Sequence, residues 1–525
     1  MSYLNINRFY VILGVAFLLL LQGCSNQTLR VAPHTELKVI DPIWTTAYIT
    51  RSHGYLVYDT LFSMNAMLEP EPQMVDTSVL SEDKKTWTFK LRDGLKWHDG
   101  TNVTAEDCVA SLKRWGKRDG EGQVLFKNIA SLSPVDEKTI VMKLHKPDGY
   151  VPAVLAKLSS NVPFMMPKRI AETDPFTAIQ DPIGSGPFIF KKDEWIPGEQ
   201  VVYVKNENYV PRTEPTSLAA GSKEPKLERI EWKFYPDRVS ATNALLKGEV
   251  DYVESVPTKL VPNLEEKKKI VIAFTDPVGN VAMARFNSLI PPFDNVEIRR
   301  AAIMAMDQKD YMSAALGDQK YWRTCYSVFP CDTEFENQVG NSLMKVADLE
   351  TAKKALKEAN YDGTPVIIFN PTDVPVISAF TQVTADKLRQ IGMKVEVQDM
   401  TWATLTERRA NRGSVADGGW NMFHTWWIAD DLINPMAVAF SGDPDTGWYG
   451  WPADKKLEQY RAEYLNVKSG EEASELAAKI QARLFAIGAF GLLGQFVEPV
   501  AYNSKLQGVT SPVHFFGNMS FEKNK

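Results

Sequence analysis

Apolar and polar positions alternate, or recur at helical spacing, in several stretches of the chain, and these patterns predict most of its elements. From Thr86, the residues Trp87, Phe89 and Leu91 share one face; the turn Arg92-Asp93-Gly94 follows, and Leu95 and Trp97 resume the alternation. Period-two alternation puts one strand face on a core, so Thr86 to Gly100 predicts a hairpin with one buried side. The next turn, His98-Asp99-Gly100, leads into Thr104-Ala105-Glu106-Asp107. That spacing is a capping box, and it predicts a helix from Ala105 to Trp115. Ile140, Met142 and Leu144 alternate again within Thr139 to Leu144. Hairpins packed on one helix form a small α+β unit.

The middle of the chain follows a different order. Ile230, Trp232 and Phe234 alternate as a strand, Arg238 to Lys247 reads as a helix stopped by Gly248, and Val250 to Val253 reads as another strand. Strand–helix–strand order predicts a parallel pair joined by a right-handed crossover. The order returns as strand Pro365 to Phe369, helix Ile377 to Gln390, a stop at Gly392 and strand Met393 to Val397. Between these units one long helix is expected from Val296 to Leu316, capped by Asp294 after Pro291-Pro292. A shorter helix, Leu349 to Ala359, has Asp348 as its cap. Two α/β lobes with a small α+β unit inserted is the simplest organisation, and 525 residues at ~100–200 per domain agree with about three units.

The first residues stand apart. Val11 to Leu21 is apolar throughout apart from Gly14, and Arg8 is the one charge before it. Such a run rises roughly 16 Å as a helix, about half the ~30 Å apolar thickness of a bilayer. It reads as a secretory signal core, with a buried core helix as the alternative. The run ends in Leu21-Gln22-Gly23-Cys24-Ser25. This resembles the bacterial lipoprotein processing box, although Gln22 is bulkier than the usual residue. The resemblance implies a lipid on Cys24 and a protein of the periplasm or cell envelope anchored to a membrane.

Charge and cysteines narrow the classes further. The formal net charge of −6 becomes −7 when Arg8 leaves with the leader, and no basic block exists. Nucleic-acid binding needs clustered Lys and Arg, so no nucleic-acid partner is expected. Cys108 lies on the apolar stripe of its helix with Leu112 and Trp115, the place of a buried thiol. Cys325 and Cys331 bracket a short segment and read as a disulfide loop in an exported protein. A metal pair is the alternative, but no second Cys or His pair lies nearby.

Catalytic motifs are missing: the chain has no phosphate-cradling loop with Lys and Ser/Thr, no GxSxG elbow and no HExxH. No cofactor, metal or enzymatic activity is expected. The richest segment is Gly418 to Trp451, with Trp420, Trp426, Trp427, Trp448 and Trp451 around Thr425, His424, Asp430 and Asp431. Aromatic rings beside a carboxylate suit an organic cation such as a peptide ammonium. The plain alternative makes these tryptophans core and the Asp pair a helix cap. Asn370-Pro371-Thr372-Asp373 follows a strand of a parallel unit, where ligands of open α/β sheets tend to sit, and offers Asn370 as a second wall; an ordinary turn is the alternative.

Several segments in order resemble the family 5 extracellular solute-binding proteins of ABC importers. They are Leu56 to Leu61, Trp87 to Lys113, Gly184-Ser185-Gly186-Pro187-Phe188, Trp195-Ile196-Pro197-Gly198, Asn206 to Tyr209, Leu245 to Asp251, Phe286-Asn287, Pro291 to Asp294, Arg299-Arg300-Ala301 and Ala305-Met306-Asp307. The resemblance implies the α/β two-lobe periplasmic-binding-protein fold, type II and cluster C-like, with a small α+β domain inserted in lobe 1. Its expected limits are a signal peptide over 1–23, lobe 1 over 24–65, 183–285 and 498–525, the insert over 66–182, and lobe 2 over 286–497. Hinges are expected near Phe286-Asn287 and Glu498-Pro499. Trp427-Ile428-Ala429-Asp430 matches the Trp-x-Ala-Asp motif of peptide-binding members, whose aspartate pairs with the ligand ammonium. Asp431 departs from the aromatic residue common there. Thr45 and Thr46, in the loop Trp44 to Tyr48, correspond to a ligand-facing loop. The implied function is capture of a peptide or related amino-group compound by a monomer that delivers it to a permease–ATPase complex in the inner membrane. Metal-chelate binding through His424, opine or oligosaccharide binding, and carbohydrate hydrolysis by the Asp pair are the alternatives.

Overall fold

The alternating segments assemble into three principal sheets in the computed structural model, which describes residues 28–276, 278–445, 447–464, 467, 469–510 and 515–522. The apolar leader, Cys24 and His514 lie outside these residues. The first sheet has seven strands in the order Ile270–Ala273, Val500–Asn503, Tyr252–Val253, Thr28–Ala32, Arg229–Lys233, Gln200–Lys205 and Phe188–Phe190. It is therefore built from three separate stretches of chain. Thr28–Ala32 runs parallel to both Arg229–Lys233 and Tyr252–Val253 and separates them. The direct pairing expected of those two strands is corrected by this insertion. Leu29 and Val31 are fully buried, and Arg30 Nε and Nη2 each donate to the Asp251 carboxylate at 2.9 Å, which fixes the strand in place.

The second sheet has six strands, ordered Trp322–Arg323, Phe490–Phe496, Asn280–Phe286, Met422–Ile428, Val366–Pro371 and Val395–Met400. Its second strand–helix–strand unit pairs directly and in parallel, Val366 opposite Val395. Helix Pro375–Gln390 lies between these two strands in the chain, with Ile377, Phe380 and Leu388 buried. The third sheet is antiparallel, Val75–Leu80, Thr86–Leu91, Thr139–Leu144 and Ile129–Pro134, and covers residues of the small α+β unit.

Two local expectations are corrected. Thr86–Leu91 does not turn back on Leu95 and Trp97; it pairs with Val75–Leu80 on one side and Thr139–Leu144 on the other. After the strand, the Arg92 N–H donates to Met74 O, and residues 95–103 close their own turn through Trp97 N to Thr101 O. The long helix is two helices, Val296–Met304 and Gln308–Leu316. Asn295, not Asp294, caps the first through the Glu297 N–H, and the Asp307 carboxylate caps the second through Lys309 N–H. A side chain that satisfies free N–H groups starts a new helix wherever it falls. By contrast, Thr104 and Asp107 form the complete capping box, and Asp348 caps Leu349–Glu358.

Among the described residues the chain passes between the two large sheets twice, between Ala273 and Asn280 and through Val497-Glu498-Pro499. The first passage lies upstream of Phe286-Asn287. Phe286 ends a central strand of the six-stranded sheet, and Asn287 Nδ2 donates to Trp420 O at 2.8 Å within that lobe.

Candidate ligand-binding cleft

The facing surfaces of the two large lobes meet along a line of polar contacts. Helix Tyr48–Val57 in the first lobe begins at its surface. The Tyr48 hydroxyl donates to Asp431 Oδ2 at 2.7 Å and accepts from the Ile428 N–H at 2.8 Å. Ser159, from the inserted unit, donates to the same carboxylate oxygen at 3.3 Å. One acid of the second lobe thus binds side chains from both other parts of the molecule. Arg51 Nη1 donates to Ser159 Oγ at 2.5 Å, and its guanidinium lies 4.4 Å from the Tyr48 ring centre. Burial, and secondly the Asp431 charge, push the Tyr48 hydroxyl well above its ordinary range, so it stays a neutral donor.

Asp430 differs from its neighbour. Strand Met422–Ile428 ends just before it, and a single turn, Ala429–Asp431, sends the two carboxylates to different surroundings. Asp430 makes no ion pair with a described residue. Burial first, and then the charges of Asp276 and Asp431, push its carboxyl up to about 6, against the opposing pull of Arg51. Asp276 sits on the first passage between lobes. Its Oδ1 accepts from Val278 and Gly279 N–H groups, while its buried Oδ2 has no partner.

Three small cavities follow the interface. One of about 30 Å³ touches Asp430, Asp431, Asp119, Lys157 and Ser159. A central one of about 70 Å³ touches Tyr48, Arg51, His34, Arg238, Asp276 and Trp426. In its wall the His34 ring pairs with Glu254 at 2.9 Å, and Arg238 pairs with Glu498 of the second passage. A third, of about 20 Å³, is bounded by Thr46, Arg409, Thr425, Trp426, Trp427 and Trp448. Thr46 Oγ1 accepts there from Trp448 Nε1 at 3.1 Å and from Arg409 Nη2 at 3.3 Å, another bridge between lobes. The Trp427 indole N–H is buried without a partner. Arg409 is buried over the Tyr449 and Trp448 rings, and desolvation lowers its affinity for its proton.

The structure gathers Thr46, Thr425, Trp426 and Trp427 around one cavity and places Asp430 at a separate one. Thr45 and Asn370 turn inward. Thr45 Oγ1 accepts from Ala47 N–H at 3.2 Å, and Asn370 Nδ2 donates to Asp399 at 2.7 Å. Trp420 is entirely core. His424 is fully buried behind the sheet, its nitrogens 3.1 and 2.7 Å from the Thr381 and Thr384 hydroxyls, and desolvation lowers its pKa to about 3. It does not reach the cleft, which removes the metal-chelate role considered for it. No set of three His, Cys, Asp or Glu side chains among the described residues is arranged to hold a metal. Cys325 and Cys331 are joined, with Sγ atoms 2.09 Å apart, and Cys108 is a buried free thiol. Residues not singled out in the sequence are Arg51, Glu254 and Asp276, while Tyr48 enters there only as the end of a loop and Glu498 only as part of a hinge. They are distant in the chain, and no local pattern marks them.

Two lobes joined by paired crossings, with charged groups between them, define a hinged binding protein. The chain belongs to the bacterial extracellular solute-binding proteins, family 5, whose family model matches residues 69–449. It is 36% identical over 491 residues to the probable peptide ABC transporter periplasmic-binding protein y4tO of Sinorhizobium fredii, covering 92% of this chain and 91% of that one. It is 23% identical over 482 residues to the glutathione-binding protein GsiB of Escherichia coli, covering 89% and 88%. The oligopeptide-binding protein AppA of Bacillus subtilis, solved with a nonapeptide, shares the fold with a TM-score of 0.77 at 18% identity, over 94% of this chain and 99% of that one.

Proposed function

We propose that the protein closes its lobes on a peptide or related amino-group compound and delivers it to the permease and ATPase of an ABC importer. The observation that carries this reading is Asp430: a carboxylate at the lobe interface that feels the charge of Asp276 and has no cation paired to it among the described residues. An ammonium donating to Asp430 supplies the missing positive charge and the missing donors at once. The curated relative y4tO, alike over most of its length, supports a peptide as cargo.

Lobe 1 is assigned to 24–65, 183–273 and 498–525, the insert to 66–182, and lobe 2 to 280–497, with the sheet membership of the strands in support. The protein acts as a monomer held to the membrane by a lipid on Cys24, outside the cytoplasm. Native mass spectrometry of the exported protein, purified without refolding, tests the cargo. A bound mass that disperses into peptides on denaturation is expected. A reproducible non-peptide mass, or failure of every short peptide to bind in calorimetry, overturns the peptide reading.

A further inference from the structure

Thr35 and Ser255 line a fourth cavity, larger than the three described above. Both residues are more than nine-tenths buried, at 7% and 6% exposure, and neither Oγ has a partner. The cavity measures about 290 Å³ and lies between lobes: Thr35, Glu36, Asp237 and Ser255 come from the first, Asp373 from the second. It shares His34, Arg238 and Ser255 with the central cavity, so the two adjoin.

Its carboxylates outnumber its cations, and none of the three is ion-paired with a described residue. Glu36 accepts from Gly198 N–H, Asp237 from the Ser240 N–H and hydroxyl, and Asp373 from Trp402 N–H, all neutral donors. The one arginine on the wall, Arg238, pairs with Glu498 through Nη1 while its Nε has no partner, and the His34 ring lies 2.9 Å from Glu254. Phe234 and Tyr235 add ring surface.

We propose that this cavity receives a basic side chain of the ligand, an ammonium or guanidinium on an apolar stem. The stem lies against the rings. The cationic head donates to a carboxylate and to the Thr35 and Ser255 hydroxyls, three acceptors for the three N–H groups of an ammonium. An anionic side chain meets three carboxylates, and an apolar one strips the same groups of water without replacing it. Because Asp373 belongs to the opposite lobe, the head also ties the lobes together.

This inference rests on the peptide reading and is tested apart from it. Calorimetry on the processed protein compares Ala-X-Ala and Ala-Ala-X, with X as lysine, norleucine or glutamate. Lysine is expected to bind at least tenfold tighter than norleucine at one position, with glutamate weakest. Asp373→Asn keeps an oxygen for the Trp402 N–H and is expected to cut that preference to threefold or less while norleucine binding holds. Glu36→Gln gives the second reading should Asp373→Asn fold poorly. Equal binding of lysine and norleucine, or a preference that survives both substitutions, overturns the inference alone. Failure of all the peptides to bind overturns it together with the peptide reading.

Discussion

The two ends of the cleft employ carboxylates in opposite ways. At one end Asp431 is saturated by Tyr48 and Ser159, and the adjoining cavity measures about 30 Å³. At the other, Asp373 faces about 290 Å³ and two hydroxyls without partners. The first acid satisfies itself with protein donors and so holds the lobes against each other. The second leaves its cavity short of positive charge. Asp430 lies beside the first end but has the character of the second, since neither Tyr48 nor Ser159 bonds to it. On the proposed reading, two adjacent residues of one type divide closure from recognition.

The comparison breaks most visibly at Asp430. Asp430→Asn is expected to cost about 2–5 kcal/mol of ligand affinity, about thirtyfold or more, with an unchanged melting temperature in the absence of ligand. A calorimetric affinity within threefold of the wild type removes the ammonium-binding role. Tyr48→Phe deletes a hydrogen bond to a charged acceptor, worth about 1.5–3 kcal/mol, and leaves Asp430 untouched. Affinity is expected to fall by about tenfold through faster release, measured by stopped-flow, with association unchanged; a loss confined to association would place Tyr48 in recognition instead.

Acidity sharpens the same division. A cationic ligand binds ionised Asp430, whose carboxyl is held up to about 6 in the free protein. Protonation below that value therefore competes with the ligand, and affinity falls as pH falls. About tenfold weaker binding at about pH 5 than at about pH 7.5 is expected, with proton release detectable by calorimetry in buffers of different ionisation heat. An affinity flat over that range contradicts an Asp430 contact. The smallest effect on binding is expected from His424→Gln, which disturbs hydroxyl partners behind the sheet. Stability is expected to drop by about 1–3 kcal/mol in urea melts with affinity unaltered. A lost ligand would return His424 to the cleft.

Local chemistry made much of the fold legible. Thr104 with Asp107, Asp348, and the buried alternation of Trp87, Phe89 and Leu91 are signals that neighbours in sequence complete by themselves. Where pairing depends on distant chain, the reading failed. Thr28–Ala32 enters between two strands that lie some two hundred residues later, and nothing in either segment announces it. The broken helix was legible in principle, because Asp307 is a good cap and opens the polar run Asp307-Gln308-Lys309-Asp310 between the apolar segments on either side. At the cleft, a short motif points to Trp427 and Asp430. Tyr48, Asp276 and Glu498 come together only through folding, from positions spread across most of the chain.

Asp276 and Glu498 stand on the two strands of chain that join the lobes. Points on a pivot travel least as its arms swing, so these charges hold nearly the same positions whether the jaws are apart or together. A solute arriving at the gaping molecule therefore meets part of its final surroundings at first touch. On the proposed reading Asp276, whose Oδ2 has no partner, is then open to an arriving ammonium at first touch, whereas Glu498 keeps Arg238, and the dwell time is set by the walls that fold over them.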